Sequence, residues 1–515
     1  MIQKVTIVLS PPEVYQEQKI IANLSSVLKI NPKRIAYHQL VKRSIDARQK
    51  KIKILLTYIV HIDKAAFGEM QPAFLPTALK NKSKVVIVGA GPAGLFAALR
   101  LLMYGIKPII IEQGKNVHER KIDIAQMYKQ NEVNEKSNYC FGEGGAGTFS
   151  DGKLYTRSSK RGDLEWFLNV LVQAGAEDKI LVDAHPHIGS DKLPAIISKI
   201  RNWIRDAGGE IYFSSTVTHL LIKDNICIGV EVNFQEKIYA DAVILATGHS
   251  STSVYEMLLN CGITLQPKGF AIGVRIEQPQ KTVNLLQYHS DKYLKYLPAA
   301  EYKIVEQVNE RGVYSFCMCP GGMVVPATTQ KGLTVVNGMS ASHRGSPFAN
   351  SGFVVEIRPE DISKNPTALD LLNFQQKIEQ LAFHSVNDGL KAPGQRVIDF
   401  IRNKCSSSLP ASSYIPGIVS SPMHEWLPSF VSERLKGAFS KLQHKMKPLI
   451  EESIMIGVES RTSSPVRILR NKDTFEQTDI KNLYPCGEGA GYAGGITSSA
   501  FDGIAVAQII AEKYK

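Results

Sequence analysis

The stretch from Val85 to Leu95 constrains the fold of this chain more than any other part of its sequence. It reads VVIVGAGPAGL, so four β-branched apolar residues lead directly into a G-x-G-x-x-G motif. Leu95, Leu99 and Leu102 then continue with helical spacing. This order is typical of a buried parallel strand, a tight turn and the start of a helix. We therefore predict a strand–turn–helix unit.

The residues of this turn suit a bound dinucleotide. Gly89 makes the turn, Gly91 leaves room for a pyrophosphate, and Gly94 lets the helix pack closely against the strand. Pro92 and Ala93 start the helix, where free N–H groups and the helix dipole favour an anion.

A second apolar strand ends at Glu112, about 20 residues downstream of the motif, where a carboxylate commonly binds a ribose hydroxyl. Glycine turns also occur for structural reasons alone, but here strand, helix and acid are all present. We predict an α/β, Rossmann-like dinucleotide-binding domain.

The second unusual stretch is the loop from Gly142 to Gly152. Five of its eleven residues are glycine, a density that neither a strand nor a helix favours. Glycine allows positive φ angles and close approach of the backbone to a bound group. We expect Gly144 and Gly145 to lie along the cofactor. The alternative is a glycine-rich connector.

Size and composition indicate an ordinary globular protein. The chain has 515 residues, of which 44% are hydrophobic and 21% charged, so two or three domains are expected. Its longest apolar runs are too short to cross a bilayer, and we predict no membrane span. The first residues lack the features of a signal peptide, which favours a cytoplasmic location.

The seven cysteines are scattered and include no C-x-x-C motif. They indicate neither a disulfide framework nor a zinc site, and no metal is expected. We interpret Cys317 and Cys319 as a structural pair on one face of a strand, and Cys486 as a buried packing residue.

Residues 1–75 are predicted to form a small basic α+β domain, with a linker at 66–82. The first 80 residues hold thirteen Lys or Arg against five Asp or Glu, a large part of the net charge of +13. The charge indicates either a solvated basic face or an acidic partner such as RNA. The basic residues near the predicted hairpin are Arg34, Lys42, Arg43, Arg48, Lys50, Lys51 and Lys53.

Three strands are predicted between Glu210 and Val232, and we assign Val217, which begins the second of them, to the cofactor site. A return strand follows at Asp241–Leu245 and ends in Ala-Thr-Gly at residues 246–248. Near the C-terminus, a short strand leads into the glycine-rich segment 487–495 and an apolar helix.

These motifs resemble those of FAD-dependent oxidoreductases with a two-dinucleotide-type flavin domain. The resemblance implies FAD as the cofactor and places Thr247 and Gly248 beside it. It also implies cofactor contacts from the C-terminal segment, in which Glu488 stands where the family usually has Asp. The residues concerned are Gly487, Glu488, Gly494, Gly495 and Ile496.

More narrowly, the chain is similar to a bacterial, mostly uncharacterised group of FAD-dependent dehydrogenases that carries a basic N-terminal α/β domain. We expect a small α+β domain, an FAD-binding domain and an α+β substrate or cap domain inserted into it. The predicted limits are 1–75 for the N-terminal domain, 82–262 and 455–515 for the FAD-binding domain, and 263–454 for the insertion.

The expected function is hydride transfer between FAD and an unidentified small or medium organic substrate. A flavoprotein that binds or modifies RNA is the alternative. His249, after the Ala-Thr-Gly turn, is a candidate for acid–base catalysis, and so is His343, while Arg344 is a candidate for binding an anionic group. Because no second complete dinucleotide motif follows, NAD(P)H would dock transiently, or the substrate itself would reduce the flavin.

Overall fold

The first unit is a three-stranded antiparallel sheet with one helix packed on it. The computed structural model describes residues 1–64, 72–79, 82–156 and 162–514. The predicted linker at 66–82 lies partly outside these residues. The elements of the first unit are β1 (Ile2–Leu9), α1 (Glu17–Leu28), β2 (Ile35–Asp46) and β3 (Lys53–Ile62), with sheet order β1-β3-β2.

The segment from Lys84 to Asn260 alternates strands and helices and then forms a β-meander. Its elements are β4 (Lys84–Val88), α2 (Pro92–Met103), β5 (Lys107–Ile111), α3 (Val117–Gln130), α4 (Leu164–Gln173), α5 (Leu193–Asp206), β6 (Glu210–Tyr212), β7 (Val217–Lys223), β8 (Ile226–Val232), β9 (Glu236–Tyr239), β10 (Ala242–Leu245) and α6 (Thr252–Asn260).

The rest of the chain contains a larger mixed unit and a C-terminal strand and helix. Its elements are β11 (Leu265–Pro267), β12 (Phe270–Pro279), α7 (Gln280–Tyr288), β13 (Val305–Val308), β14 (Arg311–Cys319), β15 (Gly322–Pro326), β16 (Val336–Ser340), β17 (Phe348–Ile357), α8 (Ala368–His384), β18 (Ala392–Arg396), α9 (Val397–Ile401), β19 (Ile418–Ser420), α10 (Met423–Trp426), α11 (Ser429–Lys445), α12 (Lys447–Glu452), β20 (Ile454–Glu459), β21 (Val466–Ile468), β22 (Leu483–Pro485) and α13 (Ile496–Lys513).

A five-stranded parallel sheet positions the predicted cofactor site. Its order is β22-β10-β4-β5-β6, so the chain runs outward from β4 on one side and returns on the other. The strands are almost entirely apolar because helices or other strands cover both faces. In such a sheet, ligands bind beyond the carboxyl end of the strands where the order reverses, here at the end of β4. This architecture confirms the predicted fold class.

The second large sheet has seven strands, in the order β13-β14-β17-β12-β20-β18-β19. Strand β20 pairs with β12 and β18 and therefore belongs to this sheet. The predicted limit at residue 455 falls within this strand. The domain limits as a whole stay a prediction.

The N-terminal unit contacts both other parts of the molecule. Its core residues join one continuous apolar cluster with β12, β17 and α11. At the edge of β2, the Arg43 N–H donates to the Val182 carbonyl at 2.7 Å. Three of the predicted basic residues form ion pairs within the chain: Arg34 with Asp63, Arg43 with Asp183 and Arg48 with Asp46. Part of the basic cluster is therefore neutralised by the chain itself.

Among the described residues, no helix combines the length and the apolar character that a membrane crossing requires.

Candidate functional site

The G-x-G-x-x-G loop joins β4 to α2 and is packed tightly on its sheet side. Gly89 has a φ of +105°, and a Cβ there would lie 2.4 Å from the Ala246 carbonyl oxygen. A Cβ on Gly94 would lie 2.0 Å from the Gly89 carbonyl oxygen. In contrast, the nearest described atom to a Cβ on Gly91 would be the Gly145 Cα, at 4.0 Å. The loop is thus open at Gly91, where α2 begins.

Glu112, at the end of β5, connects three segments around this opening. Its carboxylate accepts hydrogen bonds from the backbone N–H groups of Ala90 and Gly114, both at 2.9 Å, and of Gly142 at 3.0 Å. These bonds hold the G-x-G-x-x-G loop and the glycine-rich loop on one carboxylate. Glu112 lines the cavity as well, so the predicted contact with a ribose hydroxyl would add to this structural role.

Arg120, which no sequence motif marks, supports the glycine-rich loop from the side away from the cavity. The side chain is fully buried and donates to the carbonyl oxygens of Asn138, at 2.7 Å, and Glu143, at 2.8 Å. Burial lowers the pKa of Arg120 to about 10. The Glu143 carboxylate in turn accepts from Arg201 at 2.8 Å. In the sequence, Arg120 is only one of several charged residues that follow Glu112.

Gly144 and Gly145 lie on different sides of the glycine-rich loop. Gly145 lines the cavity and lies against Gly91. Gly144 has a φ of +79° and packs behind the loop, where a Cβ would lie 2.1 Å from Thr148 Oγ1. Its N–H donates to the Ala90 carbonyl at 2.8 Å. Gly144 therefore packs against the protein interior, and Gly145 faces the cavity.

The opposite wall comes from the ends of β10 and β22 and the start of α13. No described heavy atom lies within 4 Å of a Cβ built on Gly248, Gly494 or Gly495, so all three face open space. Helix α13 follows Gly495 without a side-chain cap, which leaves its first N–H groups directed at the cavity. The Gly495 N–H itself lies 3.5 Å from the Glu488 carboxylate.

Together these segments enclose a cavity of about 410 Å³, which we call the first cavity. Two helix N-termini and several bare glycines face it, which fits an extended anionic dinucleotide. Gly94, like Gly144, lies behind the wall. The predicted cofactor residues that line the cavity are Gly89, Gly91, Pro92, Ala93, Glu112, Gly145, Val217, Thr247, Gly248, Gly487, Glu488, Gly494, Gly495 and Ile496.

His249 also lines the first cavity, but protein groups occupy both ring nitrogens. Nε2 lies 3.1 Å from the Arg461 carbonyl oxygen, and Nδ1 lies 3.5 Å from the Glu488 carboxylate. Burial lowers the pKa of His249, so the ring is neutral near pH 7. A neutral ring has one N–H, and the contact of Nε2 with the Arg461 carbonyl uses it, so His249 is tied to the backbone at Arg461.

A second cavity, of about 1060 Å³, adjoins the first. It lies between the seven-stranded sheet and helix α13. Glu301 and His185 form a hydrogen-bonded pair on its wall. The residues that line both cavities are Lys153, Tyr155, Thr156, Phe316, Cys317, Gly494 and Ser498.

A charged cluster lies where the two cavities meet. The Asp151 carboxylate lies 3.0 Å from the Arg344 guanidinium and 3.6 Å from Lys153 Nζ. Burial by itself would raise the pKa of Asp151, but the two cations hold it below its usual value. Asp151 and Lys153 were visible in the sequence only as two charges within a glycine-rich loop. Their partner Arg344 comes from a distant loop.

His343 does not join this cluster. The side chain is exposed, its ring packs on Gly345, and it is absent from the walls of both cavities. Arg344 has a φ of +50°. Its side chain lines the second cavity, and the side chain of His343 does not. The structure therefore gives His343 no position from which to act on a substrate in either cavity.

Within the described part of the chain, no group of three or more His, Cys, Asp or Glu residues is arranged to hold a metal ion.

Three family models match the chain between residues 1 and 462, and one relative matches most of its length. Residues 83–261 match the pyridine nucleotide-disulphide oxidoreductase family, and residues 269–462 match the family described as FAD-dependent protein, C-terminal domain-like. Residues 1–61 match a domain of unknown function. A protein from Clostridium beijerinckii, described as uncharacterized, is 41% identical over 508 residues, which cover 95% of this chain and 94% of that protein.

Two of the similar solved structures have low sequence identity to this chain. A geranylgeranyl bacteriochlorophyll reductase-like protein from Thermoplasma acidophilum is 13% identical, with coverage of 84% of this chain and 78% of that one and a TM-score of 0.35. Glycine oxidase from Bacillus cereus is also 13% identical, with coverage of 84% and 96% and a TM-score of 0.31.

The family matches fit the geometry of the first cavity, with its glycine turn and its two open helix N-termini. The chain belongs to the same family as the Clostridium beijerinckii protein, and its two family matches are those of an FAD-dependent oxidoreductase.

Proposed function

We propose that this chain transfers a hydride between FAD in the first cavity and a small or medium organic substrate in the second. The observation that carries the proposal is the shared wall: seven residues line both cavities. A substrate in the second cavity would therefore lie directly beside the end of the first cavity formed by Gly494 and the start of α13.

Bound FAD supplies the hydride chemistry, and the chain supplies binding and orientation. In this proposal the opening at Gly91 and the N-terminus of α2 receive the pyrophosphate. The N–H groups and the dipole at the start of α13 stabilise negative charge on the reduced ring system. Glu112 binds a ribose hydroxyl while it keeps its three backbone contacts.

The charged cluster would orient the substrate. Arg344 and Lys153 bring two cations to one carboxylate, Asp151, so the cluster has an excess of positive charge. The Arg344 Nε atom is buried and has no hydrogen-bond partner among the described residues. A substrate with a carboxylate or another polar acceptor would satisfy this group and be held against the shared wall.

We propose a nicotinamide nucleotide as the electron donor. Because no second complete dinucleotide motif is present in the sequence, NADH or NADPH would enter the second cavity transiently and leave before the substrate binds. The second cavity, at about 1060 Å³, is large enough for such exchange.

Anaerobic titration of the purified flavoprotein with NADH and with NADPH tests this proposal. Loss of the flavin's visible absorbance with one of the two is the expected result. A flavin that neither nucleotide reduces, but that dithionite reduces fully, would rule out a nicotinamide donor. The chain would then be a dehydrogenase or oxidase that its own substrate reduces.

A further inference from the structure

Residues 182–191, which we call the bridging segment, connect the N-terminal unit to the wall of the second cavity. On one side the segment pairs with strand β2. The Arg43 N–H donates to the Val182 carbonyl at 2.7 Å, and the Ala184 N–H donates to the Arg43 carbonyl at 2.9 Å. The Arg43 Nε also donates to the Asp183 carboxylate at 2.7 Å. One residue of β2 thus holds the segment through its backbone and its side chain.

The other side of the bridging segment pairs with the end of the glycine-rich loop and the residues that follow it. The Gly189 N–H donates to the Asp151 carbonyl at 3.1 Å, and the Leu154 N–H donates to the Pro186 carbonyl at 2.9 Å. Lys153 lies in the stretch between these two bonds. The bridging segment therefore lies between β2 and two members of the charged cluster.

The third member of the cluster, Arg344, follows a loop that the bridging segment also holds. The Ser342 N–H and hydroxyl donate to the Asp191 carboxylate at 2.6 and 2.8 Å. The Ser190 N–H donates to the Ser340 carbonyl at 2.9 Å. All three charged residues at the junction of the two cavities are consequently carried by stretches that are hydrogen-bonded to this one segment.

A second contact of the N-terminal unit leads to Glu301, on the wall of the same cavity. His289 Nε2 lies 3.0 Å from the Ala47 carbonyl oxygen, and the Tyr15 hydroxyl donates to the Tyr296 carbonyl at 3.3 Å. The histidine that pairs with this glutamate belongs to the bridging segment. The N-terminal unit thus contacts the chain close to both members of the pair.

The apolar core already attaches the N-terminal unit to the seven-stranded sheet. The polar contacts described above add something that attachment alone does not need, since both sets lead to one wall of the second cavity. We propose that the N-terminal unit positions this wall, with Arg43 as a positioning residue, and so fixes the charged groups that meet the substrate. This inference rests on the proposed function, in which the substrate occupies the second cavity. It gives residues 1–61, which match a domain of unknown function, a part in the substrate site.

His185, in the bridging segment, reports on the position of the wall. Its hydrogen bond with Glu301 raises the pKa of His185, while partial burial and the charges of Arg344 and Lys303 act in the opposite direction. The Tyr155 ring lies 5.2 Å from the His185 ring. Because the bond to Glu301 is the largest influence, a displaced bridging segment should return this pKa towards its ordinary value.

Diethyl pyrocarbonate modifies neutral imidazole, so the pH dependence of its reaction at His185, followed by peptide mass spectrometry, measures this pKa. In the wild type the rate should reach half its maximum above pH 6.5. Arg43→Ala should lower this pH by about half a unit or more, because the ring moves away from Glu301. Loss of a positive charge alone would raise the pKa, so the direction of the change separates displacement from a charge effect. Arg48→Ala, which breaks the exposed pair with Asp46 in the same unit, is the control and should match the wild type.

Two further variants keep the test decisive if Arg43→Ala does not fold. Arg43→Met retains a long side chain without the charge and should show the same fall in pH. Arg43→Lys restores a cation beside Asp183 and should keep the wild-type value. A folded Arg43→Met protein in which His185 reacts with the wild-type pH dependence would overturn the proposal.

Reduction of the flavin gives a second readout. With the nicotinamide nucleotide that reduces the wild type, Arg43→Met should need at least about a threefold higher concentration for half-maximal rate, with little change in the limiting rate. FAD content should stay at the wild-type level, because the contacts of Arg43 lie outside the first cavity. An unchanged half-saturating concentration would count against the proposal. A flavin that neither nucleotide reduces would instead refute the proposed donor, and the reaction at His185 would still decide whether Arg43 positions the wall.

Discussion

At the scale of single residues, Arg120 shows how a buried cation can support a site without contacting the ligand. Its guanidinium pairs with carbonyls of the loop that forms the floor of the first cavity. Four of the eleven loop residues are glycines with positive φ, which have no side chains to hold the loop in place. The position of Gly145 against Gly91 therefore depends on Arg120.

Replacement of Arg120 by Ala should lower the free energy of unfolding by about 3 kcal/mol or more, because two buried carbonyls lose their donor and a cavity remains. FAD content should fall as well, since the loop would lose its support. Chemical denaturation and flavin absorbance measure the two effects. Lys121→Ala, at an exposed position on the same helix, is the control and should change stability by less than about 0.5 kcal/mol. An Arg120→Ala protein with wild-type stability would contradict this role.

His249 provides a pH prediction. Burial lowers its pKa in the folded state, so below about pH 6.5 the unfolded chain takes up a proton before the folded protein does. Stability is therefore lost as the pH falls from 6.5 towards the folded pKa. His249→Gln should lose less stability than the wild type between pH 8 and pH 5, as measured by urea unfolding. Exposed His343→Gln should follow the wild-type curve, and identical curves for all three proteins would show that His249 is not the group responsible.

At the scale of elements, the contact of α13 with α2 determines where the N-terminus of α13 lies. Gly503 is the contact point: a Cβ there would lie 2.1 Å from the carbonyl oxygen of Ala93. The helices therefore meet almost backbone to backbone. This contact brings the open N-termini of both helices into one cavity.

Gly503→Ala should separate the two helices, although Ala is the better helix former. Because the clash is with backbone, we expect a loss of about 1–3 kcal/mol in unfolding free energy and weaker retention of FAD. Differential scanning fluorimetry and flavin release on dilution are suitable measurements. Glu512→Ala, exposed on the same helix, should leave both unchanged. A stabilised Gly503→Ala protein with normal FAD content would contradict the tight contact.

Helices and strands that follow a local sequence pattern were predictable, but the strands with which they pair were less so. The βα unit at Val85 has the predicted form, because its signals lie within a few residues of each other. The sheet to which strand β20 belongs was not predictable. A short apolar strand looks the same in either sheet, and its pairing with β12, about 180 positions away, decides between them.

At the scale of the whole molecule, the candidate site forms where the parallel sheet meets the seven-stranded sheet. The lining of the first cavity was predictable because each segment of it follows a motif. The charged cluster beside the second cavity was not, since it depends on contacts such as Asp151 with Arg344, which are 193 residues apart. The same limitation applied to Cys317, whose exposure results from a shift in strand pairing that has no signal in the sequence.

The central claim is that FAD occupies the first cavity with its pyrophosphate at Gly91. The most direct test is the flavin content of purified wild type, Gly91→Ala and Gly312→Ala. The nearest atom to a Cβ at Gly91 would be the Gly145 Cα, at 4.0 Å, so Gly91→Ala should fold normally. The added methyl group would occupy the space of the pyrophosphate, and the variant should lose most of its FAD. Gly312→Ala, where a Cβ makes contacts of 3.8 Å or more outside both cavities, should keep FAD in equal proportion to the chain, as the wild type does. Folded Gly91→Ala with full FAD content would contradict the account.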